Sequence, residues 1–198
     1  LVMRYLDDLV SWTAIGARTS ESQTHREMVS HLPMPVGIKN STDGSASNAI
    51  NAMISARHSH HTLGVDVDGQ MAMLDTPGNP DTHLVLRGGH GLTNYDAASI
   101  AASLAELEQG GCHAKVMVDC SHANACKQHE RQIPIALEVV DQKLAGNDGI
   151  LGLMLESFIT AGRQNDSGEL VYGQSITDAC IGWVETEELL RGIHQKLS

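Results

Sequence analysis

Aromatic side chains are scarce. Phe, Trp and Tyr make up 3% of the 198 residues, and only one is Phe. A core without rings must be filled by Leu, Ile, Val, Met and Ala. Basic residues are also few, 13 Lys and Arg against 24 Asp and Glu, for a net charge of −11. Wrapping nucleic acid needs clustered cations that neutralise phosphates, so a chain this acidic is a poor candidate for that role. A small anion needs only a few cations focused in one cleft and is not excluded. No run is apolar for long enough to cross a bilayer, and no basic stretch leads into an apolar one at the start. Neither a nucleic acid nor a membrane is expected as a partner. The four cysteines, Cys112, Cys120, Cys126 and Cys180, form no C-x-x-C pair, as reduced thiols in a cytoplasmic protein would be arranged. The chain opens at Leu1, and Tyr5-Leu6-Asp7-Asp8-Leu9-Val10 reads as the middle of a helix with no capping signal. A fragment of a longer protein is expected.

What is present is an alternation of short apolar runs with longer amphipathic ones, which argues an α/β fold with parallel strands. Strands are expected at Ala14–Ala17, Val36–Lys39, His83–Arg87, Val116–Cys120 and Ile150–Leu155. Leu84-Val85-Leu86 and Val116-Met117-Val118 are continuous rather than alternating, the pattern of strands buried on both faces. Helices are expected at Glu21–Leu32, Ser45–Ala56, Asp96–Gln109, Ile133–Leu144 and Thr186–Leu197. Asp68-Gly69, a hairpin turn signal, sits between two short β-type runs, so an inserted β-hairpin is expected over about 62–76. All 198 residues are expected to form one domain. Five β-α steps are too few to close an eight-step barrel, which takes about 250 residues. An open doubly wound sheet is the alternative, but no G-x-G-x-x-G follows the first strand.

Function in parallel β-α proteins collects at the carboxyl ends of the strands. Each expected strand here ends on polar residues: Arg18-Thr19, Lys39-Asn40, Arg87-Gly88-Gly89, Asp119-Cys120-Ser121-His122 and Glu156-Ser157. Arg18, Lys39 and Arg87 together suit a compact, highly charged anion, because guanidinium groups bind carboxylate and phosphate bidentately. The plainer reading pairs each with a carboxylate such as Asp119 or Glu156. His122, Glu156 and Asp178 supply an imidazole and two carboxylates, a donor set for a divalent transition metal with open positions. The plainer reading makes His122 a core histidine satisfied by backbone and Asp178 a helix cap. The run Arg57-His58-Ser59-His60-His61 reads as solvated surface.

Longer motifs carry a resemblance. Ser11-Trp12-Thr13-Ala14-Ile15-Gly16-Ala17-Arg18-Thr19-Ser20-Glu21-Ser22-Gln23 and Pro35-Val36-Gly37-Ile38-Lys39-Asn40-Ser41-Thr42-Asp43-Gly44 closely resemble signatures of the microbial, feedback-regulated 3-deoxy-D-arabino-heptulosonate-7-phosphate (DAHP) synthases. Gly78-Asn79-Pro80, Leu86-Arg87-Gly88-Gly89, Val118-Asp119-Cys120-Ser121-His122-Ala123-Asn124 and Ser175-Ile176-Thr177-Asp178-Ala179-Cys180-Ile181-Gly182-Trp183 continue the likeness in order. Several long motifs in sequence are far more specific than one short pattern.

The resemblance implies a partial (β/α)8 barrel, strands four to eight, with strands one to three absent. His122, Glu156 and Asp178 match three metal ligands, the fourth being a cysteine on the missing first strand. The metal is divalent, with Mn, Fe, Co and Zn undistinguished. Ala17, Arg18, Lys39 and Arg87 match the phosphoenolpyruvate site, and Lys39, His122 and Asp178 the catalytic residues. The implied reaction condenses phosphoenolpyruvate with erythrose 4-phosphate and releases phosphate, at the first step of the shikimate pathway to aromatic amino acids. The implied intact enzyme is a homo-oligomer inhibited by an aromatic amino acid, tyrosine being favoured, through a site that the hairpin helps to form. The 198 residues alone are expected to be inactive and poorly soluble. Two departures stand out: Ser41, where Gly is usual and a turn could be perturbed, and His90, where Lys is usual. A non-catalytic ligand-binding module, and a barrel enzyme using a different phosphosugar, are the competing readings.

Overall fold

The computed structural model of the chain describes residues 7–66 and 68–198. The protein is mixed α/β with five strands of parallel sheet. It divides into two compact units, one running to Val85 with Ala102–Val116 added, the other comprising Leu86–Ala101 and Met117–Ser198. Tyr5 and Leu6, expected to be helical, lie outside the described residues. Asp7–Leu9, which follow them, form a single 3-10 turn.

The first unit begins with β1 (Thr13–Ile15), α1 (Gln23–His31), β2 (Val36–Lys39) and α2 (Ser47–Ala56). An antiparallel pair follows, β3 (His61–Val65) and β4 (Met71–Asp75), and then β5 (Thr82–Leu86). β1 and β2 pair in parallel with Ile15 opposite Ile38, and β2 pairs with β5 with Ile38 opposite Leu84. Val36, Ile38, Leu84 and Val85 are fully buried, which is why these runs carry apolar residues on both faces. α1 contributes Val29 to this core, and α2 contributes Ala49, Ala52, Met53 and Ala56. Gly37 is required by packing: a Cβ there would lie 2.7 Å from both Trp12 Cζ2 and Val85 Cγ2. Trp12 stacks on the buried His83 and donates its Nε1 hydrogen to His83 Nε2 at 3.1 Å.

In the antiparallel pair Leu63 stands opposite Met73 and Val65 opposite Met71. Exposure alternates along β4, as a two-stranded ribbon with one covered face requires. Gly69 takes the left-handed conformation at the turn, with φ 79°. Val67, on the ribbon's first flank, lies outside the described residues. Of the histidine run, His60 Nε2 bonds the Ser55 carbonyl oxygen at 2.9 Å and His61 pairs with Asp75 across the strands.

Helix α3 (Ala97–Gln109) starts in the second unit and ends in the first. Asp96 caps it, Oδ1 accepting from the backbone nitrogens of Ala98 and Ser99 and Oδ2 from the Ser99 hydroxyl. The second unit then holds β6 (Val116–Asp119, from Met117 onward), α4 (Gln132–Leu144) and β7 (Ile150–Met154). β6 and β7 are neighbours in the sheet. The chain closes with β8 (Thr160–Arg163), β9 (Gln174–Ser175) and α5 (Trp183–Leu197).

Helix α5 begins at Trp183, three residues before the expected Thr186, with Gly182 at the N-cap. The parallel β8–β9 pair was not anticipated, because Thr-Ala-Gly-Arg and Gln-Ser carry no apolar alternation. Its return loop is held by the Gln164 side chain, which bonds Val171 on both backbone polar atoms and the Gln174 carbonyl. Among the described residues no helix is long and apolar enough to cross a membrane.

Candidate metal centre

The carboxyl end of β6 sets the second unit's chemistry. After Asp119 the chain turns sharply: His122 takes φ 51°, Cys126 φ 51° and Lys127 φ 60°, a left-handed region that few non-glycine residues occupy. The turn brings His122 back onto Asp119, three residues earlier. His122 Nδ1 lies 2.9 Å from Asp119 Oδ2 and 2.6 Å from Ser121 Oγ. Ser121 in turn donates its backbone N–H and its hydroxyl to Asp119 Oδ1, each at 2.9 Å. His122 Nε2 faces the other way, 3.5 Å from Glu156 Oε1.

Glu156 follows β7 by two residues. Its backbone is gripped by the side-chain amide of the buried Gln132, at the start of α4: Glu156 N–H donates to Gln132 Oε1 at 2.7 Å, and Gln132 Nε2 donates to the Glu156 carbonyl at 3.1 Å. The Ile181 N–H also donates to that carbonyl, at 3.0 Å. This last bond tethers the segment after β9, which carries Asp178. Asp178 is exposed and caps no helix, since α5 starts only at Trp183.

One ligand atom from each of His122, Glu156 and Asp178 lies within 4.8 Å of the others, the only such group of three or more His, Cys, Asp or Glu among the described residues. A cavity of about 30 Å³ opens beside them, room enough for a small ion with water. Burial pushes the Glu156 carboxyl above its ordinary range; the His122 imidazole opposes this, and the Asp178 and Asp119 carboxylates add to it. Three carboxylates around one imidazole make a place where a divalent cation is electrostatically favoured. An imidazole and two carboxylates with open coordination positions fit such an ion. Cys120 is not part of this set. It is fully buried, its thiol driven upward by burial and by Asp119, and its sulfur faces the Val118 carbonyl.

Arg87 immediately follows β5, its Nη1 3.4 Å from the Gly88 carbonyl. The turn behind it depends on the buried Asn124, whose Nδ2 donates to the carbonyls of both Leu86 and Asp119. Asn124 Oδ1 accepts the Asn94 N–H, and Asn94 Oδ1 accepts the Gly88 N–H. Gly88 has φ 70°, and a Cβ there would sit 2.7 Å from the Leu92 carbonyl oxygen. Gly89 and Leu92 close a two-residue turn in which His90 (φ 47°) and Gly91 (φ 78°) are both left-handed. That is the geometry of a type I′ hairpin, which histidine tolerates better than most side chains. Gln132, Asn124 and Asp119 were not singled out as site residues from sequence. Each acts through backbone or a neighbouring side chain, and no local pattern advertises that.

In the first unit, Ala17 and the exposed Arg18 lie in the turn after β1, and Lys39 is the last residue of β2. β1 and β2 are parallel and in register, so both positions fall at the same edge. Ser41 does not disturb the next turn. It has no left-handed φ, its backbone bonds Ser45 and Gly44, and its hydroxyl accepts from Asn48 Nδ2 at 3.1 Å. A second cavity, about 400 Å³ and mainly apolar, lies between α1 and the β3–β4 ribbon. Met28, Leu32, Leu63 and Leu74 line it, with Glu27 and His31 among its polar groups.

A model of the DAHP synthetase I family matches residues 2–191. The chain is 53% identical to the Tyr-sensitive phospho-2-dehydro-3-deoxyheptonate aldolase of Escherichia coli (strain K12), covering 98% of this chain and 55% of that protein. It is 50% identical to the Tyr-sensitive protein of Enterobacter agglomerans, over 98% of this chain and 92% of that one. The Phe-sensitive protein of Escherichia coli (strain K12) is 48% identical, over 95% and 54%. A solved structure of phospho-2-dehydro-3-deoxyheptonate aldolase from Francisella tularensis SCHU S4 superposes with a TM-score of 0.92 at 38% identity, over 98% of this chain and 57% of that one. The chain therefore spans about half the length of the Escherichia coli and Francisella tularensis proteins.

Proposed function

The chain belongs to the DAHP synthetase I family, and from that premise we propose that it carries the metal centre and phosphoenolpyruvate site of a 3-deoxy-7-phosphoheptulonate synthase. In this reading the five parallel strands are strands four to eight of a (β/α)8 barrel. The reaction joins phosphoenolpyruvate to erythrose 4-phosphate and releases inorganic phosphate. The observation that carries the reading is the convergence of His122, Glu156 and Asp178 on one small, negatively charged cavity.

Those three residues would hold a divalent ion, Mn, Fe, Co or Zn. When bound, it supplies Lewis-acid polarisation of the aldehyde oxygen. Arg18, Lys39 and Arg87 bind the carboxylate and phosphate of phosphoenolpyruvate, with Ala17 beside them. Support comes from their placement, each at or just after the carboxyl end of a parallel strand. Two anionic reactants repel each other, so the cations both bind and hold the methylene carbon against the aldehyde. Lys39, His122 and Asp178 are assigned the catalytic roles. The cavity beneath the β3–β4 ribbon is assigned to an aromatic amino acid inhibitor, tyrosine being favoured because the Tyr-sensitive relatives reach 53% identity. The same reading makes the intact protein a cytoplasmic homo-oligomer.

The test is phosphate release by the intact protein, stripped of metal and then resupplied with Mn²⁺. Release should require phosphoenolpyruvate, erythrose 4-phosphate and the ion together. Release without erythrose 4-phosphate would make the site a phosphatase. Ion and phosphoenolpyruvate binding with no release would make it a binding module.

A further inference from the structure

We propose that Asp119 is a positioning residue for the metal centre: it fixes the His122 ring with its hydrogen on Nδ1 and leaves the Nε2 lone pair for the ion. The inference deepens the metal-site reading above and rests on it. A carboxylate can only accept hydrogen bonds. Asp119 Oδ2 lies 2.9 Å from Nδ1, where it attracts a hydrogen on that nitrogen and would repel a bare lone pair. Ser121 fits the same arrangement: with its hydroxyl hydrogen on Asp119 Oδ1, its oxygen accepts from Nδ1, 2.6 Å away. Nε2 is the nitrogen turned towards Glu156.

The burial pattern points the same way. Asp119 has no exposed surface, and a buried carboxylate is retained only where its oxygens are satisfied. Ser121 N–H, the Ser121 hydroxyl and His122 Nδ1 are among the groups that meet it. The left-handed backbone of His122 folds the ring back to within reach. A conformation that few non-glycine residues adopt is understandable if a ligand's orientation depends on it. The partner behind a metal-bound histidine orients the ring and raises its basicity, and losing that partner weakens metal binding by about 10–100-fold.

The test is Asp119→Asn, which keeps size and shape. Two quantities are read: the Kd for Mn²⁺, from the electron paramagnetic resonance of the free ion, and the tautomer of His122 in metal-free protein, from its ring ¹⁵N shifts above the imidazole titration. The expected result is Nδ1–H in the unsubstituted protein, a shift towards Nε2–H in the variant, and a Kd weakened by about 10–100-fold. An unchanged tautomer overturns the proposal, whatever the Kd does. Should Asp119→Asn not fold, Ser121→Ala decides: Asp119 alone should still hold Nδ1–H, and Nε2–H there overturns the assignment. If the unsubstituted protein binds no Mn²⁺, the metal-site reading fails by itself, and the tautomer comparison still decides the role of Asp119.

Discussion

Gln132 holds the backbone of Glu156 as a neighbouring strand would, accepting its N–H at 2.7 Å and donating to its carbonyl at 3.1 Å. The two bonds differ in consequence. The carbonyl keeps a second donor in Ile181 N–H if Gln132 is lost, whereas among the described residues the N–H has no other acceptor. Gln132→Met preserves the bulk and strands one half-buried donor, so it should cost about 1 kcal/mol. The urea midpoint of metal-free protein reads this directly. A midpoint equal to that of the parent would mean the grip contributes nothing.

In the intact enzyme, Arg87→Ala should raise the phosphoenolpyruvate KM roughly ten- to hundredfold, since a hydrogen bond to a charged group contributes about 1.5–3 kcal/mol. Initial rates against phosphoenolpyruvate at saturating erythrose 4-phosphate give the answer. An unaltered KM removes Arg87 from the substrate site.

Metal should stabilise the protein more as pH rises. The Glu156 carboxyl lies above its ordinary 4.5, pushed there chiefly by burial. The folded, metal-free protein therefore holds this proton more tightly than the unfolded chain does. Its contribution is full below pH 4.5 and is lost as pH climbs through the raised value. A cation bound to the ionised carboxylate reverses that loss, and binding it releases protons. The difference in thermal midpoint with and without Mn²⁺, followed from pH 4.5 upward, should widen. A constant difference contradicts the assignment of Glu156 as a ligand.

His83 gives the opposite slope. Burial holds its imidazole below the ordinary 6.5, and Trp12 already occupies Nε2 as a donor. The unfolded chain binds the proton more readily, so the stabilisation is present above pH 6.5 and lost as pH falls through the depressed value. His83→Gln keeps an acceptor for Trp12 but cannot titrate. Its denaturation midpoint should fall less steeply below pH 6.5 than the parent's. Parallel profiles would show that His83 is not responsible.

Asp96→Ala removes the three bonds that cap α3. The loss should be about 1 kcal/mol, or about 2–4 °C in Tm for a chain of this size. Differential scanning calorimetry resolves a change of that magnitude.

The sequence was readable where burial dictated composition. Val36–Lys39 has the expected bounds because both faces of β2 are covered, and Leu84-Val85-Leu86 lies within β5 for the same reason. His122, Glu156 and Asp178 were grouped from their places at strand ends and in a long motif, and their ligand atoms do lie within 4.8 Å of one another. Gln132 could not be found that way. Its partner is 24 residues distant and is engaged through backbone atoms, to which sequence is blind. Asp119 reads from sequence as an ion-pair partner for a cation; its bonds to Ser121 and its approach to His122 are contacts that reading does not supply. The left-handed turn that makes this possible has no glycine to announce it. The β8–β9 pair escaped because a side-chain amide, not hydrophobic alternation, organises it.

The Trp12–His83 stack also gives the molecule an internal optical gauge. There are two tryptophans; Trp183 is 60% exposed and emits from water, while Trp12 lies with its ring centroid 5.9 Å from an imidazole that quenches indole light once protonated. The short-wavelength part of the fluorescence spectrum therefore registers events beside Gly37 and β5 with no label attached, separately from whatever the outer tryptophan reports.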